Sequence, residues 1–422
     1  MTPPVVAADV RRTVLPNGMV CLVKPAPATG AAAVHGYVRA GSMFDADLSG
    51  LARFVGSMLL WGTQRRTGPQ IAEQLDAIGA SLSVASGIEV TAVAGRSLAD
   101  DLPVLLGIAA EVLMEPAFPA DHVEKVRGEL LTTIKVNAVD TRQAAERAFR
   151  RLAYPAGHPH SRSPDGEEAV VASLRTEALR AFHAEHYRPG ATILAVVGDV
   201  DPARATDLVA SAFGSWAPRG AWVLPSFPGP SPSGGRREEH LAVPGKSQCD
   251  LVLGIPGVTR SDPAYYAVMM ANLFLGQLGM MGRIGQNVRE KQGMAYYAFS
   301  ELRAGLLPGP WWVRAGVNPA NLERALAAIV HEIGELQADG PAPDELADAR
   351  TYLVGSLAVR LETAGGVAQM LADMELFGLG LDYLERYPAI IHGISRDAIV
   401  EAIRRFPADA CTLAVAGPER TA

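Results

Sequence analysis

The sequence predicts an α+β protein with two homologous domains, each a mixed sheet covered by helices. Apolar strand-like segments are interspersed with long helical segments throughout the 422 residues. A stretch rich in proline and glycine at 217–235 divides the chain almost evenly, because these residues sustain neither a helix nor a central strand. The two halves repeat the same order of segments. We therefore expect domains at 1–216 and 236–422, joined by a linker at 217–235.

The repeated segments support this prediction element by element. Each half opens with an apolar strand, a turn that contains glycine and aspartate, and an apolar helix. A later helix in each half begins at a proline, Pro119 or Pro343, and has acidic residues in its first turn. Each half then closes on an apolar strand. The predicted elements are 33–39, 51–61 and 192–199 in the first half, and 251–255, 264–275 and 412–417 in the second.

Composition excludes several functional classes. With 38 basic and 45 acidic residues the formal net charge is -7, and no dense run of lysine and arginine indicates a nucleic-acid surface. No apolar run approaches the ~20 residues that cross a bilayer, and the first residues lack the pattern of a secretory signal. The three cysteines, Cys21, Cys249 and Cys411, indicate no disulfide framework. We expect a cytoplasmic protein that contacts neither nucleic acid nor membrane.

Residues 49–63 carry the most informative motif and read SGLARFVGSMLLWGT. This segment resembles the zinc-binding helix of the pitrilysin/insulinase (M16) metallopeptidases, Gly-Leu-Ala-His-Phe-Leu-Glu-His-Met followed by Gly-Thr. In that motif two histidines four residues apart bind zinc on one helix face, and the glutamate acts as general base. Here Arg53, Gly56 and Ser57 occupy the positions of His, Glu and His. Arginine and glycine offer no zinc ligand.

The resemblance implies a third ligand, a glutamate on a later helix, and the alignment gives that position to Thr133. Glu129 lies one turn earlier, but one carboxylate without histidines is a poor zinc site. The remaining histidines suggest no relocated site. They are expected in structural or surface roles and comprise His158, His160, His183, His186 and His331. We therefore expect this chain to bind no metal or cofactor, and a self-sufficient zinc peptidase is close to excluded.

Further segments extend the resemblance over nearly the whole chain, at 13–18, 154–162 and 182–199. The second half keeps a motif that the family uses. Residues 279–300 are similar to the M16 pattern Ser-Arg-Leu-Phe, Leu-Arg-Glu and Gly-Leu-Ala-Tyr-Ser, and Arg289 and Tyr296 hold its Arg and Tyr. In the family these side chains project toward the zinc site of the opposing half and stabilise the oxyanion, for which a guanidinium and a phenol are suitable donors.

The resemblance implies the non-catalytic subunit of a heterodimeric M16B-type peptidase. Its partner would be a catalytic M16 subunit with an intact His-x-x-Glu-His motif and the zinc, and its substrates would be extended or small peptides. Such peptides add a strand to an exposed sheet edge, which in the family includes the segment aligned with 79–86. The alternative is a structural or peptide-binding pseudopeptidase scaffold that contributes nothing to catalysis. Retention of Arg289 and Tyr296 disfavours that alternative.

Overall fold

The computed structural model describes residues 7–27, 30–230, 235–407 and 410–419. The chain divides into two compact units. The first unit comprises Met1–Thr132, Pro164–Ser226 and Ser356–Arg386, and the second comprises Thr133–Ser163, Phe227–Gly355 and Tyr387–Ala422. The described part of the expected linker, 217–230 and residue 235, has no helix or strand, and 231–234 lie outside the described residues.

A six-stranded mixed sheet forms the centre of the first unit. Its strand order is β1-β2-β6-β3-β5-β4, with β2 parallel to β6 and the other neighbours antiparallel. Every residue of β6 is buried, as expected for an apolar central strand, whereas β4 is an edge strand. The strands are β1 Arg11–Val14, β2 Val20–Pro25, β3 Ala31–Val38, β4 Ser81–Ser86, β5 Thr91–Leu98 and β6 Thr192–Gly198.

A five-stranded mixed sheet forms the centre of the second unit. Its order is β7-β11-β8-β10-β9, with β11 parallel to β7, and β9 is an edge strand. Its strands are β7 Arg237–Ala242, β8 Cys249–Pro256, β9 Ala295–Ala304, β10 Pro308–Val317 and β11 Thr412–Gly417. Two similar mixed sheets covered by helices confirm the predicted fold class. Each closing strand, β6 and β11, begins at the residue that the sequence predicted.

The helices also lie close to their predicted positions. The segment predicted at 51–61 is a helix of eight residues followed by a 3-10 turn at Leu59–Trp61. No helix among the described residues is long and apolar enough to cross a membrane. The helices are α1 Leu51–Met58, α2 Gly68–Ala77, α3 Leu102–Met114, α4 Ala120–Ala138, α5 Thr141–Ala153, α6 Glu168–Ser173, α7 Thr176–His186, α8 Pro202–Phe213, α9 Tyr265–Gly276, α10 Gly282–Ile284, α11 Leu322–Asp339, α12 Pro343–Arg360, α13 Ala364–Leu376, α14 Tyr383–Gly393 and α15 Arg396–Ile403.

Two helices are exchanged between the halves of the sequence. Helix α5, from the first half, packs in the second unit, where Phe149 lies edge-on to Trp312 with 5.3 Å between ring centroids. Helix α13, from the second half, packs on β3 in the first unit, where the Tyr37 hydroxyl donates to Asp373 at 2.7 Å. The predicted domains at 1–216 and 236–422 therefore each contain one sheet but differ from the compact units by these helices. Periodicity identifies a helix, but it does not say which sheet the helix covers.

Candidate functional site

Helix α1 carries the three positions that the zinc motif would occupy. It begins after Gly50, whose φ of 90° suits a residue without a side chain, and the Asp45 carboxylate accepts from the backbone amides of Gly50 and Ala52 at 2.8 Å. Arg53 and Ser57 are partly exposed and lie one turn apart. Arg53 forms no ion pair with any residue that the structure describes.

Gly56 is buried where α1 approaches β4. A Cβ atom at this position would lie 2.8 Å from the Cβ of Ser86, closer than real side chains approach. Ser86 is itself fixed, because the Thr91 hydroxyl donates to it at 3.3 Å and lies 3.1 Å from the Tyr187 hydroxyl. Any side chain at this position, including that of a general-base glutamate, would therefore force Ser86 to shift.

The residues present do not fit a zinc ion. Arg53 is a permanent cation and Gly56 has no side chain, so only the Ser57 hydroxyl remains on α1. Thr133 and Glu129 are both exposed on α4. In the described part of the chain, no group of three or more His, Cys, Asp or Glu side chains could hold a metal ion.

The histidines near the end of α7, and the pair at 158 and 160, have packing roles. The ring of His183 stacks on Tyr187, and its Nε2 lies 2.9 Å from the Leu113 carbonyl oxygen. Burial lowers the pKa of His183 to about 4, which keeps the ring neutral. His186 stacks on Phe44. The pair His158 and His160 stack on each other with 5.6 Å between ring centroids, and both are buried.

Tyr296 lies at an irregularity of the edge strand β9. Tyr297 pairs with Gly316 and Ala295 pairs with Val317, so Tyr296 is the extra, unpaired residue of a β-bulge. Its side chain is 80% exposed. Bulges reorient a side chain away from the regular alternation of a strand, and they are frequent beside active sites.

The next residue, Tyr297, is buried. Its hydroxyl donates to the Asp250 carboxylate, which also accepts from the Thr141 hydroxyl at the start of α5. Burial, and then the hydrogen bond to Asp250, raise the pKa of Tyr297. This anchor fixes the strand beside Tyr296. Asp250 was not predicted as a site residue from the sequence, although a carboxylate within the apolar strand 249–253 is a signal for a buried polar partner.

Arg289 lies on a π-helical segment, Gly285–Lys291, which continues α10. Such turns are rare and are often found at functional sites. The segment is held by Asn287, which donates to Glu332 at 2.6 Å, and by the burial of Val288. About a third of the Arg289 side chain is exposed, and its Nη1 lies 3.5 Å from the Met280 sulfur. Arg289 and Tyr296, the two residues predicted from the sequence, thus both occur at backbone irregularities, on either side of the turn between the π-helical segment and β9.

Sequence comparisons match the chain to one family. The profile described as "Insulinase (Peptidase family M16)" matches residues 20–159, and the profile "Peptidase M16 inactive domain" matches residues 173–353. An uncharacterized zinc protease of Streptomyces coelicolor is 28% identical over 374 residues, which cover 87% of this chain and 80% of that protein. Another, from Bacillus subtilis, is 23% identical over 84% of this chain and 85% of that protein.

Solved structures share the fold over almost the full length. A peptidase M16 inactive domain from Pseudomonas fluorescens superposes with a TM-score of 0.90 at 25% identity, covering 98% of both chains. A protease from Helicobacter pylori superposes with a TM-score of 0.89 at 19% identity, covering 97% of this chain and 99% of the other. With both profiles matched in order along well over half of its residues, the chain belongs to the M16 (insulinase) peptidase family.

Proposed function

We propose that this chain is the zinc-less subunit of a heterodimeric M16 metallopeptidase that cleaves extended or small peptides. In this proposal the partner is a catalytic M16 subunit that carries the zinc and an intact His-x-x-Glu-His motif. The present chain forms half of the peptidase chamber and supplies Arg289 and Tyr296 to the partner's active site.

The observation that carries this proposal is the exposure of Tyr296 at the bulge of β9. A tyrosine that served only to fill a strand would bury its ring and satisfy its hydroxyl, as Tyr297 does with Asp250. Tyr296 is instead 80% exposed, and its hydroxyl has no hydrogen-bond partner among the residues that the structure describes. Arg289 adds a partly exposed cation on the adjoining turn.

The chemistry of peptide hydrolysis gives these two groups a role. Negative charge develops on the carbonyl oxygen as the peptide bond is attacked, and donors already directed at that oxygen lower the barrier. The Tyr296 hydroxyl donates one hydrogen bond, and the Arg289 guanidinium can donate two in a fixed geometry. Neither group has to gain or lose a proton.

The test is turnover by the pair reconstituted from this chain and its catalytic partner. The substrate is an amidated peptide without acidic residues. Tyr296→Phe should lower turnover by about 10²–10³-fold, because it removes one oxyanion donor and leaves the volume of the ring. Tyr352→Phe removes another exposed tyrosine hydroxyl of the second unit and should leave turnover unchanged.

Size-exclusion chromatography must show that both variants assemble with the partner. Wild-type turnover by Tyr296→Phe in a fully assembled complex would reject this proposal in favour of the non-catalytic scaffold. Arg289→Ala is a weaker test, because it also removes the contact of the guanidinium with the Met280 sulfur and its ion pair with Glu290 at 3.6 Å.

A further inference from the structure

One methionine differs from the others in its exposure to solvent. The sequence contains 12 methionines. Met280, in the second unit, is 62% exposed, and every other methionine that the structure describes is buried or only partly exposed. Because an oxidant reaches an exposed thioether first, the chain has one preferred position for oxidation to methionine sulfoxide.

A tight turn holds Met280 beside the π-helical segment that carries Arg289. Gly279 and Met281, on either side of Met280, have left-handed φ angles of 63° and 72°. A Cβ atom at Gly285, the first residue of the π-helical segment, would lie 2.7 Å from the Met280 carbonyl oxygen. The two backbones are therefore in close contact, and the exposed thioether stands on a turn that is packed against that segment.

The thioether of Met280 contacts the guanidinium of Arg289. Its sulfur accepts from Arg289 Nη1 at 3.5 Å. The Glu290 carboxylate lies 3.6 Å from the same nitrogen, which is beyond hydrogen-bond distance. A thioether is a weak acceptor, so its contact leaves the guanidinium available to an oxygen of a substrate.

Oxidation converts this weak acceptor into a strong one. A hydroperoxide such as hydrogen peroxide transfers one oxygen atom to a lone pair of the sulfur, the O–O bond breaks, and the peroxide is reduced to water. A guanidinium binds a polar oxygen of this kind at about 2.7–2.9 Å. Because the sulfur is already 3.5 Å from Nη1, a small rotation of the Met280 side chain brings the new oxygen within reach of Arg289.

We propose that Met280 is a site of reversible oxidation that regulates turnover through Arg289. In the reduced chain the guanidinium is available to the oxyanion at the partner's zinc site. In the sulfoxide form Met280 holds the guanidinium, and one of the two oxyanion donors is withdrawn. A methionine sulfoxide reductase reverses the change, because two thiols take up the oxygen as water and form a disulfide. This inference rests on the function proposed above, since it acts through Arg289.

The experiment oxidises this chain alone, before it meets its partner. The purified chain is treated with hydrogen peroxide, the peroxide is removed, and the chain is assembled with an untreated catalytic subunit. Peptide mapping by mass spectrometry should show sulfoxide at Met280 before any other described methionine. Turnover of the assembled pair should fall at least about tenfold, because a charge-assisted hydrogen bond to the oxyanion is lost. Methionine sulfoxide reductase with a dithiol should restore it.

Three substitutions separate Met280 from other targets of peroxide. Met280→Leu removes the sulfur and nearly conserves volume, so turnover should stay near the wild-type value before and after peroxide. Met269→Leu is the matched control at a partly exposed position of α9, and it should lose turnover on oxidation as the wild type does. Arg289→Ala should have a low turnover that peroxide does not lower further, because the side chain that the sulfoxide binds is absent.

Several outcomes overturn the inference. They are preferential oxidation of another methionine, unchanged turnover when Met280 is fully oxidised, an equal loss on oxidation in Met280→Leu, and failure of the oxidised chain to assemble with its partner. The first two measurements use the wild-type sequence, so they remain decisive if a variant misfolds. Wild-type turnover by the untreated Arg289→Ala pair has a different meaning, because it rejects the proposed role of Arg289 itself.

Discussion

At the positions of the zinc motif, Gly56 has no side chain, and this lets α1 lie closer to the edge of the first sheet than any other residue would allow. We predict that the purified chain holds no stoichiometric zinc, because Arg53, Ser57 and Thr133 offer no set of strong ligands. Elemental analysis after dialysis measures this directly. One tightly held zinc per chain would show that the ligand assignment is wrong.

Rebuilding the motif should fail for a structural reason as well as a chemical one. The triple variant Arg53→His, Gly56→Glu, Ser57→His should show no peptidase activity, since Thr133 still supplies no third ligand. It should also be less stable than the wild type, because the new Cβ at position 56 lies 2.8 Å from that of Ser86. Adding Ser86→Gly should recover part of the lost unfolding free energy. Robust hydrolysis by the triple variant alone would contradict the alignment of the later helix.

His183 makes the first unit sensitive to acid. Its folded-state pKa of about 4 lies below the unfolded value of 6.5, so the unfolded chain binds the proton first as the pH falls. Stability is therefore complete above about pH 6.5 and declines toward pH 4, with a loss of about 2 kcal/mol between pH 7 and pH 5. Urea unfolding at these two pH values measures the loss.

The control for this prediction is a matched pair of substitutions. His183→Gln keeps a donor for the Leu113 carbonyl but cannot titrate, so it should flatten the pH dependence. His331→Gln, at an exposed position of α11, should leave the dependence as in the wild type. An unchanged slope in the His183 variant would assign the acid sensitivity to other groups.

Among the elements, β9 depends on the glycine opposite its bulge. A Cβ at Gly316 would lie 2.6 Å from the Tyr297 ring, so Gly316→Ala should displace Tyr297 and move the adjoining Tyr296. We predict a loss of turnover of up to about 10²-fold in the assembled pair, the scale expected when a reacting group is misplaced by about 1 Å. The readout is turnover per assembled complex, with thermal unfolding measured in parallel.

Gly254→Ala provides the comparison in the same sheet. Its Cβ would lie 2.6 Å from the Trp311 carbonyl oxygen, so it strains β8 and β10 without contacting Tyr297. It should cost stability and leave the turnover of the folded complex near the wild-type value. Equal turnover losses in the two variants would mean that the effect of Gly316→Ala comes from general destabilisation.

The sequence predicted the strands and helices better than it predicted the details of the site. Apolar runs such as 192–197 are buried on both faces, so their position follows from composition alone. The bulge at Tyr296 depends on the register between β9 and β10, and the π turn depends on contacts such as Asn287 with Glu332. Both are tertiary effects that a local pattern does not encode.

At the scale of the whole molecule, the exchanged helices make each half of the sequence incomplete. We predict that a fragment of residues 1–216 does not form a native first unit, because it lacks α13 and leaves the Tyr37 side of β3 uncovered. Hydrogen exchange should show little protection in β3, and chemical denaturation should show no cooperative transition. A fragment with native protection in β3 would show that α13 is dispensable.

The position of α13 in the chain also determines when, during synthesis, the first unit can complete its folding. The last strand of the first sheet ends at Gly198, but α13, one of the helices that cover this sheet, ends at Leu376, about 180 residues later. At a synthesis rate of about 5–20 residues per second, the first sheet remains without α13 for about 10–35 s. The second sheet is completed later still, since its strand β11 ends at Gly417. Neither unit can finish folding until most of the chain has left the ribosome, and during that interval the nascent chain is a natural client for chaperones.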